Sequence, residues 1–304
     1  MNHAPAQAIP TGDVTRASAG CSASSAMIER MSTKTRLGAA AAGIAAAVAL
    51  SACSTSVGGQ PVAVQSATVA TSSSPEAQQL IRWVDVQAEA PVLPRDTQGM
   101  QYGTDAKPGI GFGYRNVARQ SRVCTLGPAV HDAAGRSGFL TAGHCTAALS
   151  STPAYLSQTS DALGPQVLMG TVESAVDDDA ATDSAIIWAP VAADASRIAG
   201  RWPVAGIMAK ADVPSLVKPG DPVCLNGSRS GVVCSPLISA DGYDIRTQAT
   251  TQGNDSGAPV FVVAPSGSAI LIGIHRGVDG AMGLATFISP ALDRLHVTVA
   301  TAAQ

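Results

Sequence analysis

The chain has 304 residues, of which 46% are hydrophobic and 13% charged, and its formal net charge is −3. A chain of this length can bury a substantial core and could form one large or two small globular units. The charge gives no basic surface of the kind that binds nucleic acid, so we expect no nucleic-acid partner. Aromatic residues make up only 4%, and the abundance of Ala, Ser, Thr, Val and Gly favours short strands and turns over long amphipathic helices.

The N-terminal part of the chain has the pattern of an export signal. A start at Met27 or Met31 would place basic residues ahead of the Ala-rich apolar run 37–50, which is too short to span a bilayer as a permanent helix. The run ends in Leu-Ser-Ala-Cys53, which resembles a bacterial lipobox, where the cysteine is lipidated and becomes the N-terminus after cleavage. The alternative is an ordinary secretory signal cleaved near Ala52. We therefore predict an exported chain, either anchored to the cell membrane by a lipid on Cys53 or extracellular or periplasmic.

The rest of the sequence divides into a tether and a folded part. Residues 1–52 are assigned to the N-terminal extension and signal, and residues 53–105 to a tether and lead-in, because they are rich in Ser, Thr, Ala and Gln and then in Pro, Gly and Asp. From residue 106 to residue 304, short apolar runs alternate with Gly, Pro, Asp and Ser turns. This pattern predicts an all-β sandwich or barrel, with one short helix over Pro290–Leu295.

Four cysteines fall in the predicted folded part, which is an even number for a chain in an oxidising compartment. The simplest of the three connectivities pairs neighbours, Cys124 with Cys145 and Cys224 with Cys234. Metal binding is the alternative, but a Cys-x-x-Cys spacing is lacking and the export signal argues against it. We predict no metal.

Two short segments supply candidates for a nucleophile and its base. Segment 253–259 (Gly-Asn-Asp-Ser-Gly-Ala-Pro) precedes an apolar run, so it predicts a tight loop that presents the hydroxyl of Ser256 just before a strand. Taken alone, Asp-Ser-Gly is also common turn chemistry. Segment 138–145 (Gly-Phe-Leu-Thr-Ala-Gly-His-Cys) places His144 at the end of a strand-like run. A hydroxyl nucleophile needs such a base.

With Cys124-Thr-Leu-Gly ahead of the histidine segment, these motifs resemble those of the bacterial chymotrypsin-like serine peptidases of the streptogrisin and α-lytic type. The resemblance covers about residues 106–295. It implies two packed six-stranded β-barrels, over about 106–205 and 206–304, with the site in the cleft between them. It also fits a disulfide from Cys124 to the cysteine after the histidine, and the ring that a Cys224–Cys234 bridge would close.

The resemblance implies a Ser-His-Asp triad with Ser256 as nucleophile and His144 as base. In this family the acid lies just ahead of an apolar strand of the first barrel. Asp183 directly precedes the strand-like run 184–188, where a side chain can be held against the core, so we predict Asp183 as the acid. Asp179, in an acidic run on a solvated loop, is the alternative.

The backbone N–H groups of Asn254 and Ser256 are implied as the oxyanion donors. Asn254 stands where the family usually has glycine, and Asn is one of the few other residues that tolerate a positive φ. The alternative is a malformed oxyanion hole in a slow or inactive homologue. In the family the acid at Asp255 is buried and paired with a cation, often an arginine where Leu225 stands here, and Arg229 is the candidate substitute.

Run 271–277 (Leu-Ile-Gly-Ile-His-Arg-Gly) is similar to the pocket strand of glutamyl endopeptidases. The resemblance implies that His275, Arg276 and Gly277, together with Thr250, line a substrate pocket in which His275 meets an acidic side chain. The alternative is a packed strand histidine beside an arginine that points to solvent. Thr250, six positions before the nucleophile, is not acidic, so no preference for Lys or Arg is expected.

The sequence thus predicts a secreted or lipid-anchored serine endopeptidase that hydrolyses peptide bonds through an acyl-enzyme. Its partners are expected to be a protein or peptide substrate and, through the lipid, a membrane. No cofactor is implied, and we expect a monomer. The alternative is a catalytically inactive protease-fold lipoprotein that serves as a binding module of the cell envelope, and a third interpretation is an esterase.

Overall fold

A computed structural model describes residues 82–303, except residues 117, 147–148, 150, 179–181 and 249–250. The predicted signal segment, the lipidation candidate Cys53 and most of the tether lie outside the described residues. So do the alternative acid Asp179 and the pocket candidate Thr250.

Antiparallel strands dominate, since short apolar runs separated by turns place alternate side chains into a core. They form two eight-stranded sheets. The first sheet contains β1 (Gly111–Arg115), β2 (Ser121–Thr125), β3 (Ala129–Asp132), β4 (Ser137–Thr141), β5 (Ser151–Ser157), β6 (Gln166–Asp178), β7 (Thr182–Trp188) and β16 (Val297–Val299). The second contains β8 (Arg197–Ile198), β9 (Trp202–Ile207), β10 (Pro222–Gly227), β11 (Gly231–Asp241), β12 (Asp244–Gln248), β13 (Pro259–Val263), β14 (Ala269–Asp279) and β15 (Met282–Phe287).

The second sheet closes into a barrel, and the first curls into a half-barrel. In the second, the order β13-β10-β11-β12-β15-β14 is closed by a further pairing of β13 with β14. In the first, the chain between β2 and β3 bonds to both sides of the sheet: the Leu126 N–H donates to the Ile110 carbonyl at 2.9 Å, and the Gly127 N–H donates to the Leu140 carbonyl at 2.8 Å. The predicted all-β fold of two packed barrels is confirmed.

The two barrels share part of their core. One apolar cluster joins Leu140 and Ile186 of the first sheet to Phe261 and Leu271 of the second, and all four side chains are buried. Strand β13 is buried along its whole length, as expected for a continuous apolar run between two packed layers. The loops at this boundary therefore rest on a rigid base.

Two short α-helices and two 3-10 turns, Gln87–Glu89 and Gly143–Cys145, complete the described fold. Helix α1 spans Val213–Leu216 and helix α2 spans Ile288–Leu295, so the predicted C-terminal helix is confirmed and begins two residues earlier than expected. After α2 the chain turns at His296, which has a left-handed φ of 54°, and β16 then pairs with β3 of the first sheet. Among the described helices, none has the length and apolar character needed to cross a membrane.

Residues 83–87, which the sequence assigned to the lead-in, pack against the second sheet. Trp83 and Val86 are buried, and the indole N–H of Trp83 donates to the Leu216 carbonyl at 2.9 Å. The Val84 N–H donates to the Val263 carbonyl at 2.9 Å. This segment packs against the second barrel, so it belongs to the fold that carries the site.

Candidate active site

His144 lies in a single helical turn, Gly143–Cys145, directly after β4. A Cβ at Gly143 would lie 1.8 Å from the Val176 carbonyl oxygen, so the turn can approach β6 this closely only with glycine before the histidine. Cys145 forms a disulfide with Cys124 of β2, which ties the far end of the turn to the first sheet. The backbone of His144 is therefore fixed on both sides.

Asp183 contacts both the backbone and the imidazole ring of His144. It is the second residue of β7 and only 2% exposed. Its Oδ1 accepts the backbone N–H of His144 at 2.8 Å, and its Oδ2 lies 2.7 Å from Nδ1 of the same residue. Because an ionised carboxylate can only accept, Nδ1 carries the hydrogen and Nε2 is left as an acceptor.

Ser256 comes from the second sheet, in the loop before β13. Its Oγ lies 3.0 Å from His144 Nε2, so the structure brings the predicted nucleophile, base and acid into one hydrogen-bonded series. The next residue, Gly257, has φ +94°, and a Cβ there would lie 2.4 Å from the Thr125 carbonyl oxygen. The tight Asp-Ser-Gly turn thus needs its glycine for both reasons.

Asp255 is fully buried and anchors the nucleophile loop through its carboxylate. Its Oδ1 accepts the backbone N–H groups of Arg229 and Ser230 at 2.8 and 3.0 Å. Its Oδ2 accepts the Ser230 hydroxyl at 2.5 Å and the Gln252 N–H at 2.8 Å. The expected cationic partner is thus wrong for the described residues, because Arg229 contributes its backbone and four neutral donors satisfy the charge.

Asn254 has φ 80°, the left-handed conformation expected at this position. Its carbonyl accepts the hydroxyls of Thr125 at 2.8 Å and Ser228 at 2.9 Å, which fixes the orientation of the peptide. The backbone N–H groups of Asn254 and Ser256 donate to no acceptor among the described residues. Two uncommitted donors beside a nucleophile are what stabilisation of an oxyanion requires.

Arg294 of α2 supports the strand that carries Asp183. Its Nη2 donates to the carbonyl and the hydroxyl of Ser184 at 2.7 and 2.8 Å, and its Nη1 donates to the Ser174 carbonyl at 2.8 Å. Ser184 also shares a 2.7 Å hydrogen bond with Thr182, so the residues on both sides of Asp183 belong to one network. The guanidinium clamps β6 to β7 next to the acid.

The charge state of His144 follows from its neighbours. Burial, the largest influence, lowers its pKa, but the hydrogen bond and the charge of Asp183 raise it more, so the pKa of His144 lies above its ordinary value of 6.5. Its side chain is 33% exposed, which leaves it open to substrate and solvent. It is neutral in alkaline solution and protonates as the pH falls through this raised pKa.

His275 is buried and does not face an open pocket. It is 3% exposed, and burial lowers its pKa to about 4 although Asp255 opposes the shift. The cavity beside it, lined by Leu225 and Val260, encloses about 10 Å³, roughly the room for one water molecule. A neutral imidazole supplies a hydrogen bond but no positive charge, so the expected acidic preference at this position stays a prediction.

The other pocket candidates lie next to His275 on β14. Arg276 is 17% exposed at its side chain, and its Nη2 lies 3.3 Å from Asp244 Oδ1, so the alternative in which it points freely to solvent is wrong. Gly277 has φ +146° and opens onto free space. A bulge between His275 and Gly277 interrupts the pairing of β14 with β15.

Both expected disulfides are present, Cys124–Cys145 and Cys224–Cys234. The sulfurs of the first bridge and a ring nitrogen of His144 lie within 4.8 Å of one another, which is the spacing of a metal site. Because those sulfurs are joined to each other, they offer no thiolate to a metal.

Sequence reasoning missed several supports of the site, namely Thr125, Ser228, Ser230 and Arg294. The first three act through hydroxyls and backbone N–H groups that contact the nucleophile loop from distant parts of the chain. Arg294 is 110 residues from Ser184. No sequence pattern in α2 indicates that this arginine supports the site. The ring 224–234, in contrast, was predicted as a loop.

The fold is similar to several solved bacterial proteases. A Nocardiopsis protease aligns at 20% identity over 65% of this chain and 100% of its own, with a TM-score of 0.47. Protease A of Thermobifida fusca aligns at 22% identity over 64% and 98%, with a TM-score of 0.46. A Cellulomonas bogoriensis chymotrypsin aligns at 22% identity over 65% and 100%, with a TM-score of 0.45. No protein-family profile and no curated protein matches the chain.

Proposed function

We propose that the protein is a serine endopeptidase that cleaves peptide bonds through an acyl-enzyme. One observation carries this proposal: the continuous hydrogen-bonded series from Asp183 through His144 to Ser256, in which the acid is buried and the nucleophile is accessible. The three residues come from two sheets and are more than 30 positions apart at each step. Ordinary packing of polar residues does not require such an arrangement.

In the acylation step, Ser256 Oγ attacks the carbonyl carbon of the scissile bond while His144 Nε2 takes the hydroxyl proton. Asp183 keeps the other ring hydrogen on Nδ1 and stabilises the imidazolium that forms. The negative charge that develops on the carbonyl oxygen is bound by the N–H groups of Asn254 and Ser256.

The same groups complete the turnover. The C–N bond breaks as His144 gives its proton to the leaving amine, which departs as the C-terminal fragment. Water then loses a proton to His144, attacks the ester on Ser256, and releases the N-terminal fragment as a carboxylic acid. Apart from the substrate and this water, every group that takes part in the two steps belongs to the chain.

Casein hydrolysis by the purified full chain tests this function. We expect wild type to release peptides and Ser256→Ala to lose about 1,000-fold or more of the rate. Ser266→Ala, in an exposed turn between β13 and β14, is the matched control and should keep full activity. Hydrolysis of small esters without casein cleavage would indicate an esterase. Folded wild type that acts on neither substrate would indicate an inactive binding module.

We also propose that the chain is exported and held at the membrane by a lipid on Cys53. The two disulfides support an oxidising compartment, and the apolar run before Cys53 supports a cleaved signal. Intact mass of the processed protein tests the lipid. A diacylglyceryl difference between wild type and Cys53→Ala supports the anchor, whereas equal mass apart from the substitution would leave a secreted enzyme.

A further inference from the structure

A large open cavity borders the nucleophile loop on the side of the first sheet. It measures about 630 Å³ and lies between the β1–β2 hairpin, the turn between β5 and β6, and Asn254. Its walls include two tyrosines, Tyr114 and Tyr155, together with Gln166. A volume of this size accommodates several residues of an extended peptide, in contrast to the 10 Å³ beside His275.

The hairpin that forms one wall is strongly basic. Residues 111–125 contain three arginines and no acidic residue, in a chain whose formal net charge is −3. Two of them, Arg115 and Arg122, line the cavity and are exposed. Arg122 Nη2 donates to Gln120 Oε1 at 2.8 Å, which holds this guanidinium at the hairpin surface.

Two acidic residues close in sequence to the lining residues accept backbone N–H groups of their own loops. Asp161 Oδ1 accepts the Leu163 N–H at 2.9 Å, and Asp96 Oδ1 accepts the Gln98 N–H at 2.9 Å. Neither carboxylate lines the cavity, and neither forms a salt bridge with Arg115 or Arg122 among the described residues. Among the described residues that line the cavity there are thus two guanidinium groups and no carboxylate.

The position of the cavity decides which part of a substrate reaches it. The leaving amine must face His144, which donates its proton, and His144 is bridged through Cys145 and Cys124 to β2. Strand β2 forms the cavity wall, and Asn254 connects that wall to the oxyanion donors. The peptide that follows the scissile bond is therefore directed along this wall.

We propose that this cavity is a subsite for acidic side chains in the leaving-group segment of the substrate, read by Arg115 and Arg122. The inference rests on the proposed peptidase function and adds a substrate class to it: chains with Asp or Glu shortly after the cleaved bond. Each exposed pair contributes modestly, so we expect about a 3- to 10-fold preference for an acidic residue over its amide, and that preference weakens as salt screens the charges.

Fluorogenic peptides that are identical up to the scissile bond test the subsite. They carry Asp, Asn or Lys at each of the three positions after it, and kcat/KM is measured at low and high salt. We expect the order Asp over Asn over Lys at one or more positions, with the difference reduced at high salt. The double variant Arg115→Gln/Arg122→Gln should lose the preference and keep its rate on the Asn peptides.

Arg119→Gln is the matched control, because Arg119 lies in the same hairpin but outside the cavity wall, and it should behave as wild type. Equal cleavage of the Asp and Asn peptides, or a preference that survives in the double variant, would overturn the subsite while leaving the peptidase intact. If no peptide is cleaved, the proposed function fails instead. Fluorescence anisotropy of an Asp-rich and an Asn-rich product peptide on Ser256→Ala then decides whether the cavity still selects acidic chains.

Discussion

The surroundings of His144 and of His275 differ although each histidine lies near a buried aspartate. His144 contacts Asp183 directly, its side chain remains 33% exposed, and its pKa is raised. His275 is 3% exposed, and its pKa is lowered to about 4. A direct carboxylate contact outweighs partial burial in the first case, and full burial outweighs a more distant carboxylate in the second.

This difference separates a histidine that can exchange protons from one that packs. An imidazole with a pKa somewhat above 6.5 can accept a proton from Ser256 and return it near neutral pH. An imidazole with a pKa of about 4 stays neutral under the same conditions. The sequence pattern placed both histidines in functional motifs, and only their contacts distinguish them.

The largest effect should come from Asp183→Asn, which removes the contact that distinguishes His144. We expect kcat to fall about 1,000- to 10,000-fold, because the amide favours the wrong tautomer. The pKa of His144 should also drop, since burial then acts without the opposing carboxylate. The pH dependence of kcat/KM checks this, with the acid limb moving to lower pH. Wild-type rates in this variant would contradict the assignment of the acid.

His275→Gln tests the opposite environment through stability. The folded-state pKa of about 4 lies below the ordinary 6.5, so the unfolded chain binds more protons between these values and stability is lost as the pH falls through that window. The loss attributable to His275 is about 3 kcal/mol when complete. We expect the variant to lose less stability than wild type between pH 7 and pH 4.5, as measured by urea unfolding.

His131→Gln is the control for that comparison, because His131 is exposed and binds Thr298 at the surface. It should retain the pH dependence of wild type.

The same His275 variant tests the acidic pocket: a neutral His275 predicts that the ratio of cleavage after Glu to cleavage after Gln stays within about threefold of wild type. A selective loss of cleavage after Glu would instead assign His275 to substrate recognition.

The smallest effect should follow from Arg294→Met, which acts on the His144 region from a distance. With the clamp on Ser184 removed, we expect Asp183 to be held less firmly and kcat/KM to fall about tenfold, with KM nearly unchanged. The acid limb should shift towards lower pH, because the contact of Asp183 with His144 weakens. Arg197→Met, at an exposed arginine of β8, is the control. A loss of thermal stability without a shift of the acid limb would give Arg294 a purely structural role.

Local sequence was sufficient to predict the all-β fold and the three residues that the structure brings into one hydrogen-bonded series. His144 and Ser256 lie in segments whose glycines are required by close backbone approaches at Gly143 and Gly257, and such turns leave a recognisable pattern. Asp183 was predicted because it stands at the start of a continuous apolar run that becomes a buried strand.

The remaining features depend on contacts that local sequence does not encode. The partners of Asp255 are largely backbone N–H groups, which are independent of residue type. The predicted pairing of Asp255 with Arg229 was wrong for this reason. Trp83 is buried against a helix 133 residues away, although its own neighbourhood resembles a tether. The pKa of His275 depends on the packing of several strands around it, and a motif alone says nothing about that packing.

Labelling by a fluorophosphonate probe tests whether Ser256 is an activated nucleophile, because the probe reacts with a serine only when a base activates it. We expect one adduct on Ser256, located by peptide mass spectrometry, that forms faster as the pH rises through the raised pKa of His144. It should be absent in Ser256→Ala and strongly slowed in Asp183→Asn, and Ser266→Ala should label as wild type does. Folded wild type that stays unlabelled, or an adduct on another serine, would contradict this expectation.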